Sequence, residues 1–267
     1  MTLSTLRTRL RGSTVLVTGA SSGLGADFAR RFASLGCDVV LVARRLDRLE
    51  ELAAEISSRH GVTATPIAAD LAVPGAGSAL KATLGHRGIT VHSLINNAGF
   101  GTHQPFVEED PVTLGNEIAV NIAAVVDLSR AFLPGMIEHG AGVLVTLAST
   151  AAYQPLPGMA VYAASKAFVL SFTEALAVET RGTGVTVMAV SPGPTETEFF
   201  EVLGSKDAAF GKMQTSEQVM DTTFAALAAK RPPASVVSGV NNKLQSAGVR
   251  LLPRRAALEV TARMFRE

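Results

Sequence analysis

The residue pair Tyr162 and Lys166 carries the clearest chemical signal in this 267-residue chain. The two lie four positions apart, which places a phenol and an ammonium group on one face of a helix. A free phenol titrates near pH ~10, and a neighbouring cation favours its ionised form. Such a pair can act as a general acid and base on a carbonyl or an alcohol. Because this spacing also arises by accident, the residues that accompany it decide its meaning.

A glycine-rich segment, Thr18-Gly19-Ala20-Ser21-Ser22-Gly23-Leu24-Gly25, follows the first apolar run of the chain. Glycines let a backbone turn tightly and approach a pyrophosphate, which would rest on the N-terminus of the helix that follows. Such a segment can also be an ordinary turn, but its position at the head of the chain favours dinucleotide binding. The predicted contacts are Gly19, Ser21, Ser22, Gly23, Leu24 and Gly25.

Short β-branched runs alternate with longer segments of helical period along the chain, which is typical of βαβ units on a parallel sheet. The pattern predicts a doubly wound, three-layer α/β/α fold that forms a single domain over residues 1–267. Strands are expected at 14–18, 38–43, 63–68, 91–96, 142–148, 185–190 and 235–237. Helices are expected at 24–35, 47–60, 111–137 with an interruption near Pro134, 159–181, 218–230 and in the C-terminal stretch.

Composition restricts the classes of function. Apolar residues make up 47% of the chain, and the formal net charge of +1 gives no indication of nucleic-acid binding. Cys37 is the only cysteine, which excludes an intrachain disulfide and favours a reducing, cytoplasmic location. No uncharged apolar run reaches about 18 residues, so no membrane span is expected. The five histidines show no metal-ligand spacing, and no metal is predicted.

The glycine spacing Gly-x-x-x-Gly-x-Gly, together with several later motifs, resembles the short-chain dehydrogenase/reductase family. The similarity extends from Thr14 to about Thr197. The later motifs are Asn96-Asn97-Ala98-Gly99, Asn121, Ser149, the pair Tyr162 and Lys166, and Pro192-Gly193. Each motif is weak alone, but their common order and spacing are specific. The resemblance implies a Rossmann-like fold and an oxidoreductase that moves a hydride between a nicotinamide cofactor and a carbonyl or alcohol.

The resemblance also implies a catalytic set of four residues. Tyr162 would exchange a proton with the substrate oxygen, and Lys166 would lower the pKa of the phenol and hold the nicotinamide ribose. Ser149 would hydrogen-bond the substrate oxygen where negative charge develops. Asn121, a residue type that suits the middle of a helix poorly, would help hold a water that links Lys166 to solvent. Taken singly, Ser149 could equally cap a turn and Asn121 could be a satisfied core amide.

The remaining cofactor contacts come from loops that follow the other strands. Asp70, with Leu71 beside it, is expected at the adenine ring, although a turn-initiating Asp is the alternative. The resemblance places a carboxamide contact at Thr195 or Thr197 and leaves the choice open. Backbone packing against the cofactor is expected from Asn97, Ala98, Gly99, Pro192 and Gly193.

The end of the second strand decides which cofactor is expected. An NAD site wants an acid about 20 residues beyond the glycine loop. The strand here ends in Ala43-Arg44-Arg45, and guanidinium groups suit the 2′-phosphate of NADP. Arg44 is predicted to clamp that phosphate, with Arg45 as a helper or merely solvated and Ser22 adding a hydroxyl. Asp47, the only nearby acid, is predicted to cap the next helix.

Two segments should border the substrate, residues 150–160 and a lid at 194–213. Both carry apolar side chains, which favours an apolar small-molecule carbonyl or alcohol, although these residues could instead only pack the lid onto the body. The alternatives are a 3-oxoacyl thioester reductase and a non-catalytic NADP-sensing protein. The family resemblance further implies a homodimer or homotetramer that is formed through the helices at 111–137 and 159–181.

Overall fold

The computed structural model describes residues 3–203 and 213–251, together with 253, 255, 258 and 259. Seven parallel strands form one sheet in the order β3-β2-β1-β4-β5-β6-β7. The strands are β1 (Thr14–Thr18), β2 (Asp38–Ala43), β3 (Ala64–Ala68), β4 (Ser93–Asn96), β5 (Gly142–Leu147), β6 (Val185–Ser191) and β7 (Ser235–Val237). The α-helices are α1 (Leu3–Leu10), α2 (Gly23–Ser34), α3 (Leu46–His60), α4 (Ala76–His86), α5 (Pro111–Ile118), α6 (Ala124–His139), α7 (Ala160–Glu179), α8 (Phe199–Val202), α9 (Ser216–Leu227) and α10 (Val240–Leu251).

Helices cover both faces of the sheet, so the strands are apolar on both sides. Val15 and Val17 of β1 belong to a core cluster that includes residues of α1, α2, α3 and α9. Leu16, between them, belongs to a second cluster that includes α4, α6 and α7. The predicted α/β, Rossmann-like doubly wound fold with three layers is confirmed.

The order of the strands explains where a ligand can bind. From β1 the chain adds β2 and β3 on one side, then returns to place β4 on the other side of β1. Leu16 therefore pairs with Val40 of β2 on one side and with Leu94 of β4 on the other. Where the winding reverses, the loops at the carboxyl ends of the strands diverge and leave a crevice.

The long helix predicted at 111–137 is interrupted at a different place from the one expected. A π-helical turn at Ala119–Ala123 separates α5 from α6, whereas Pro134 lies inside α6. Proline removes one backbone donor, but the neighbouring Leu133 and Met136 are buried and hold the helix on the sheet. The expected break near Pro134 was wrong, and the real irregularity contains Asn121.

Three helices and one cap differ from the sequence interpretation. The helices α1, α4 and α8 were not predicted, because each is short. In α4, a Cβ on Gly77 would lie 2.9 Å from the backbone of Asp127 in α6, so close helix packing overrides the low helix propensity of glycine. The predicted cap was also wrong: Arg45 occupies the N-cap of α3, and Asp47 lies in its first turn.

Candidate active site

A cleft of about 770 Å³ opens at the carboxyl ends of β1 and β4. It brings together nearly all of the residues singled out in the sequence. The predicted residues that line it are Gly19, Ser21, Ser22, Gly23, Leu24, Arg44, Arg45, Asp70, Leu71, Asn97, Ala98, Gly99, Ser149, Tyr162, Lys166, Pro192, Gly193, Thr195 and Thr197. The two exceptions, Gly25 and Asn121, are buried just behind its wall.

The glycine loop is held by a hydrogen-bond network from β4. The Asn97 side chain donates to the carbonyls of Thr18 and Gly19 at 2.9 and 3.3 Å. The Thr18 hydroxyl accepts from the backbone of Asn97 and Ala98 and donates to Ile95. Gly19 has φ +65°, and a Cβ there would lie 2.8 Å from the Asn97 amide. Thr18 belongs to the site, and the sequence analysis had not recognised its role.

Gly25 acts in packing, since it does not line the cleft. A Cβ at this position would lie 2.2 Å from the Gly19 carbonyl oxygen, so only glycine lets α2 approach the loop this closely. Ser22 is the N-cap of α2 but makes no side-chain cap bond to the helix. The first backbone N–H groups of α2 therefore remain available to an anion. This geometry fits a dinucleotide pyrophosphate.

The two arginines after β2 differ in their contacts. Arg44 is exposed, lines the cleft and makes no ion pair with any residue that the structure describes. Arg45 donates to the Ser21 and Ser22 hydroxyls at 3.0 and 3.1 Å and pairs with Glu198 at 3.1 Å. Of the two alternatives left open for Arg45, a helper at the phosphate site or a merely solvated side chain, these contacts favour the first. No residue at the end of β2 is itself an acid, as an NAD site would have there; the Glu198 carboxylate reaches Arg45 from the lid.

The other predicted cofactor residues have defined local roles. Asp70 accepts a 3.0 Å hydrogen bond from the Ala72 backbone, so it forms a turn and also faces the cleft. Thr195 is buried and donates to the Gly193 carbonyl at 2.9 Å. Thr197 lies against the glycine loop, where its Cβ would be 3.1 Å from a Cβ on Gly23. Of the two threonines, Thr197 is the closer to the predicted pyrophosphate position.

Tyr162 and Lys166 lie on α7 at the inner end of the cleft. The Lys166 ammonium is 5.7 Å from the centroid of the Tyr162 ring and donates to the Leu147 carbonyl at 2.8 Å. Burial raises the pKa of Tyr162 to about 12, and the Ser149 hydroxyl opposes this rise. Burial therefore sets the direction of the shift in this structure, and the lowering of the phenol pKa by Lys166 stays a prediction. The phenol is protonated at neutral pH and available as an acid.

Burial acts on Lys166 in the opposite sense. It lowers the pKa of the ammonium group to about 8, and the charge on Glu117 opposes this change. Desolvation penalises the charged form of both groups, which is why the phenol and the amine move toward neutrality together. Lys166 is thus poised to gain or lose a proton close to neutral pH.

Ser149 and Asn121 flank this pair. Ser149 is the N-cap of a 3₁₀ turn at Thr150–Tyr153 and accepts from the Ala151 backbone at 3.1 Å. Asn121 donates to the Phe100 carbonyl at 2.8 Å and to the Ser165 hydroxyl at 3.1 Å, and accepts from the Phe100 backbone. Its side chain therefore ties the π-helical turn to α7 and to the loop after β4. The water relay stays a prediction.

Glu117 is a buried acid that the sequence analysis missed. Its side chain is fully buried one turn before Asn121, and neither carboxylate oxygen has a hydrogen-bond partner among the described residues. Burial, assisted by the charge of Glu109, raises the pKa of Glu117 to about 7, and Thr102 and Lys166 oppose the rise. Its position within an apolar helical pattern, one turn ahead of Asn121, was the available signal.

The outer part of the cleft is apolar. Phe199 packs on the Tyr162 ring with centroids 5.4 Å apart. Met159, Phe200 and Leu203 form a buried cluster beside them. The predicted lid at 194–213 is described up to residue 203 and at 213, so Phe210 lies outside the described residues. Helix α10 adds Asn242, Gln245 and Ser246 to the wall, a contribution the sequence analysis had not anticipated.

Comparison with known proteins places the chain in a family. A sequence profile of the short chain dehydrogenase family matches residues 13–208. Sulfoacetaldehyde reductase 2 of Chromohalobacter salexigens is 42% identical over 197 residues, which cover 73% of this chain and 77% of that protein. The chain belongs to the short-chain dehydrogenase family, and the predicted membership is confirmed.

Two further similarities bear on cofactor and substrate. A solved short-chain dehydrogenase from Sphingobium yanoikuyae in complex with NADPH superposes with a TM-score of 0.79, at 32% identity, over 88% of this chain and 92% of that one. The very-long-chain 3-oxoacyl-CoA reductase of Bos taurus is 33% identical over 185 residues, which are 68% of this chain and 59% of the reductase.

Proposed function

We propose that this protein is an NADP(H)-dependent oxidoreductase that interconverts a ketone and an alcohol on an apolar small molecule. One observation carries the proposal: a single cleft has Tyr162, Lys166 and Ser149 at one end and the exposed Arg44 at the other. The guanidinium of Arg44 is free to meet a 2′-phosphate with paired hydrogen bonds. The NADPH bound by the Sphingobium protein supports the same cofactor.

The side chains of the inner end have separate tasks in reduction. A bound NADPH supplies the hydride. Tyr162 gives its proton to the carbonyl oxygen, since a phenol with a pKa of about 12 carries that proton at neutral pH. Ser149 lies beside the phenol and would donate a hydrogen bond to the oxygen as charge develops. Lys166, held by the Leu147 carbonyl, would contact the nicotinamide ribose and return a proton to Tyr162.

The wall of the cleft favours an apolar substrate over a small anion. Among the described residues that line it, the cationic side chains are Arg44, Arg45 and Lys166, all of which are assigned to the cofactor. A sulfonate such as sulfoacetaldehyde would need a cation near the lid. The lid instead presents Phe199, Phe200 and Leu203. These side chains suit an alicyclic, aromatic or lipid-like ketone.

A 3-oxoacyl thioester is the second candidate substrate. The similarity to the bovine 3-oxoacyl-CoA reductase favours it, since an acyl chain would also suit the apolar wall. A non-catalytic NADP-sensing role is disfavoured because Tyr162, Lys166 and Ser149 all face the cleft.

The test is a screen for NADPH oxidation. Purified protein is supplied with NADPH and with an alicyclic ketone, an aryl ketone, sulfoacetaldehyde or a 3-oxoacyl-CoA, and kcat/KM is compared. We expect the apolar ketones to give the highest values and the Tyr162→Phe variant to give values lower by ~10²–10⁴-fold. Preference for the thioester would select the second candidate, and NADPH binding with no carbonyl reduced would favour a sensor.

The assembly we propose is a homodimer or homotetramer in the cytoplasm. By length and apolar composition, Pro111–His139 and Ala160–Glu179 could each cross a membrane, with 50% and 39% of their most apolar windows buried. Both pack on the sheet, and Ile118, Val126, Phe168 and Val178 leave an apolar outer surface. A second subunit would cover that surface. The buried, unpaired thiol of Cys37 fits a reducing compartment.

A further inference from the structure

An ion-pair cluster crosses the mouth of the cleft between α3 and the lid. Glu198, just before α8, pairs through one carboxylate oxygen with Arg45 at 3.1 Å and through the other with Arg48 of α3. Hydrogen bonds from Arg48 and Arg45 lower the pKa of Glu198, so the carboxylate is ionised at neutral pH. Glu198 and Arg45 are only partly exposed, at 35% and 43%.

The same cluster contains the groups that a 2′-phosphate would use. One Arg45 nitrogen donates to the Ser21 hydroxyl at 3.0 Å, to the Ser22 hydroxyl at 3.1 Å and to Glu198 at 3.1 Å. A guanidinium that is flanked by two hydroxyls of the glycine loop is an anion site. In this structure the anion in that site is a side chain of the protein itself.

We propose that Glu198 is an internal competitor for the ribose 2′-phosphate, and that it sets how strongly the protein prefers NADPH to NADH. This inference rests on the proposed cofactor assignment. Arg44 remains free to make the first contact with the phosphate. A dianionic phosphate beside Arg45 repels the Glu198 carboxylate and takes over its hydrogen bonds. NADH has no phosphate there and leaves the ion pairs intact.

Residues next to Glu198 connect this exchange to the catalytic end. Thr197 lies on the glycine loop, where its Cβ is 3.1 Å from the position of a Cβ on Gly23. Phe199 packs on the Tyr162 ring at 5.4 Å. Three consecutive residues thus touch the phosphate loop, the arginine site and the catalytic phenol.

The size of the effect follows from the exposure of the pairs. Exposed ion pairs are each worth roughly 0.2–1 kcal/mol, and a tenfold change in affinity corresponds to ~1.4 kcal/mol. Because Glu198 makes two such pairs, removing its charge should tighten NADPH binding by about two- to twenty-fivefold. Screening by salt should reduce this gain at high ionic strength.

The experiment measures dissociation constants for NADPH and NADH with wild type, Glu198→Gln and a matched control, Glu196→Gln. Glu196 is an exposed acid two positions away that makes no ion pair with a described residue, so its variant changes net charge equally. We expect Glu198→Gln to bind NADPH about two- to twenty-fivefold more tightly, NADH binding to stay unchanged, and the control to match wild type.

Each other outcome overturns the inference. Weaker NADPH binding in Glu198→Gln would mean that the carboxylate closes over the bound cofactor. Unchanged NADPH binding would make the cluster a surface ion pair only, and equal tightening of both cofactors would indicate a steric effect of the lid. If wild type does not distinguish NADPH from NADH, the cofactor assignment itself fails. If wild type prefers NADPH while the variant shows no gain, only the competitor role fails.

Discussion

The two ends of the cleft are built in different ways. The cofactor end consists of backbone turns at the ends of buried strands, held by the side chains of Thr18 and Asn97. The substrate end consists of side chains from α8, α10 and the turn at Thr150–Tyr153. Phe199 and Phe200 of α8 pack with Met159, and Arg250 of α10 lies over the Tyr153 ring. The core of the protein therefore shapes the loops that hold the cofactor, whereas side chains at the periphery are expected to read the 2′-phosphate and to select the substrate.

Lys166 lies where the two ends meet, and removing it should have the largest effect on both. Lys166→Ala deletes the proton relay and leaves the Leu147 carbonyl without its ammonium donor. We expect kcat to fall by ~10²–10⁴-fold, together with weaker NADPH binding because the ribose contact is lost. Steady-state kinetics with equilibrium binding measures both. If kcat falls but the affinity for NADPH stays that of wild type, Lys166 does not contact the cofactor.

Arg44 tests the cofactor end alone. A hydrogen bond to a charged group contributes roughly 1.5–3 kcal/mol, so Arg44→Ala should weaken NADPH binding about ten- to hundredfold. NADH binding should hardly change, and the double variant Ala43→Asp with Arg44→Ala should prefer NADH. The measurement is the dissociation constants for NADPH and NADH of wild type and both variants. An equal loss of affinity for both cofactors would show that Arg44 does not read the phosphate.

Phe199 tests the substrate end alone. Phe199→Ala removes an aromatic contact with Tyr162, and such pairs are worth about 0.5–1.5 kcal/mol. We expect KM for an apolar ketone to rise about two- to tenfold, with NADPH affinity unchanged. If the variant weakens NADPH binding as much as ketone binding, the division between the two ends is wrong.

Glu117 is buried behind the pair Tyr162 and Lys166 and should affect stability more than binding. Burial raises its pKa from 4.5 to about 7, so the folded protein holds a proton that the unfolded chain releases. The free energy of unfolding of wild type therefore falls by about 1–3 kcal/mol as the pH rises from 4.5, the pKa of Glu117 in the unfolded chain, to about 7, its pKa in the folded protein.

The Glu117→Gln side chain does not titrate, so the variant should be more stable than wild type only at pH values above the folded pKa of Glu117. We expect the variant to have a Tm several degrees higher than wild type at about pH 8 and a similar Tm at about pH 4.5. Thermal unfolding at the two pH values measures it. A lower Tm for the variant at the higher pH would instead show that an ionised Glu117 stabilises the fold beside Lys166.

The difference between the two ends also explains which parts of the molecule could be predicted from the sequence. Glycines that are required by backbone approach, such as Gly19 and Gly25, leave a local signal. The fold was therefore predicted closely, and the residues predicted for the cofactor gather in one cleft. The ion pairs of Glu198 with Arg45 and Arg48 span about 150 positions of chain, and no local pattern announces them.

The irregular helix was harder to predict for a physical reason. The break was predicted at Pro134 because proline is a common cause of helix interruption. The π-helical turn at Ala119–Ala123 contains no residue type that indicates such a turn. That turn depends on contacts of Asn121 with Phe100 and Ser165, which only the folded chain brings together. Glu117 escaped notice because burial of a charged residue is a property of tertiary packing.

The assignment of Tyr162 as the catalytic acid is tested most directly by a single-turnover measurement on Tyr162→Phe. Enzyme loaded with NADPH is mixed with an excess of an apolar ketone, and cofactor oxidation is followed for wild type and variant. We expect Tyr162→Phe to bind NADPH as tightly as wild type and to oxidise it ~10²–10⁴-fold more slowly, because only the proton donor is missing. Oxidation at the wild-type rate in Tyr162→Phe would contradict the assignment of Tyr162 as the acid.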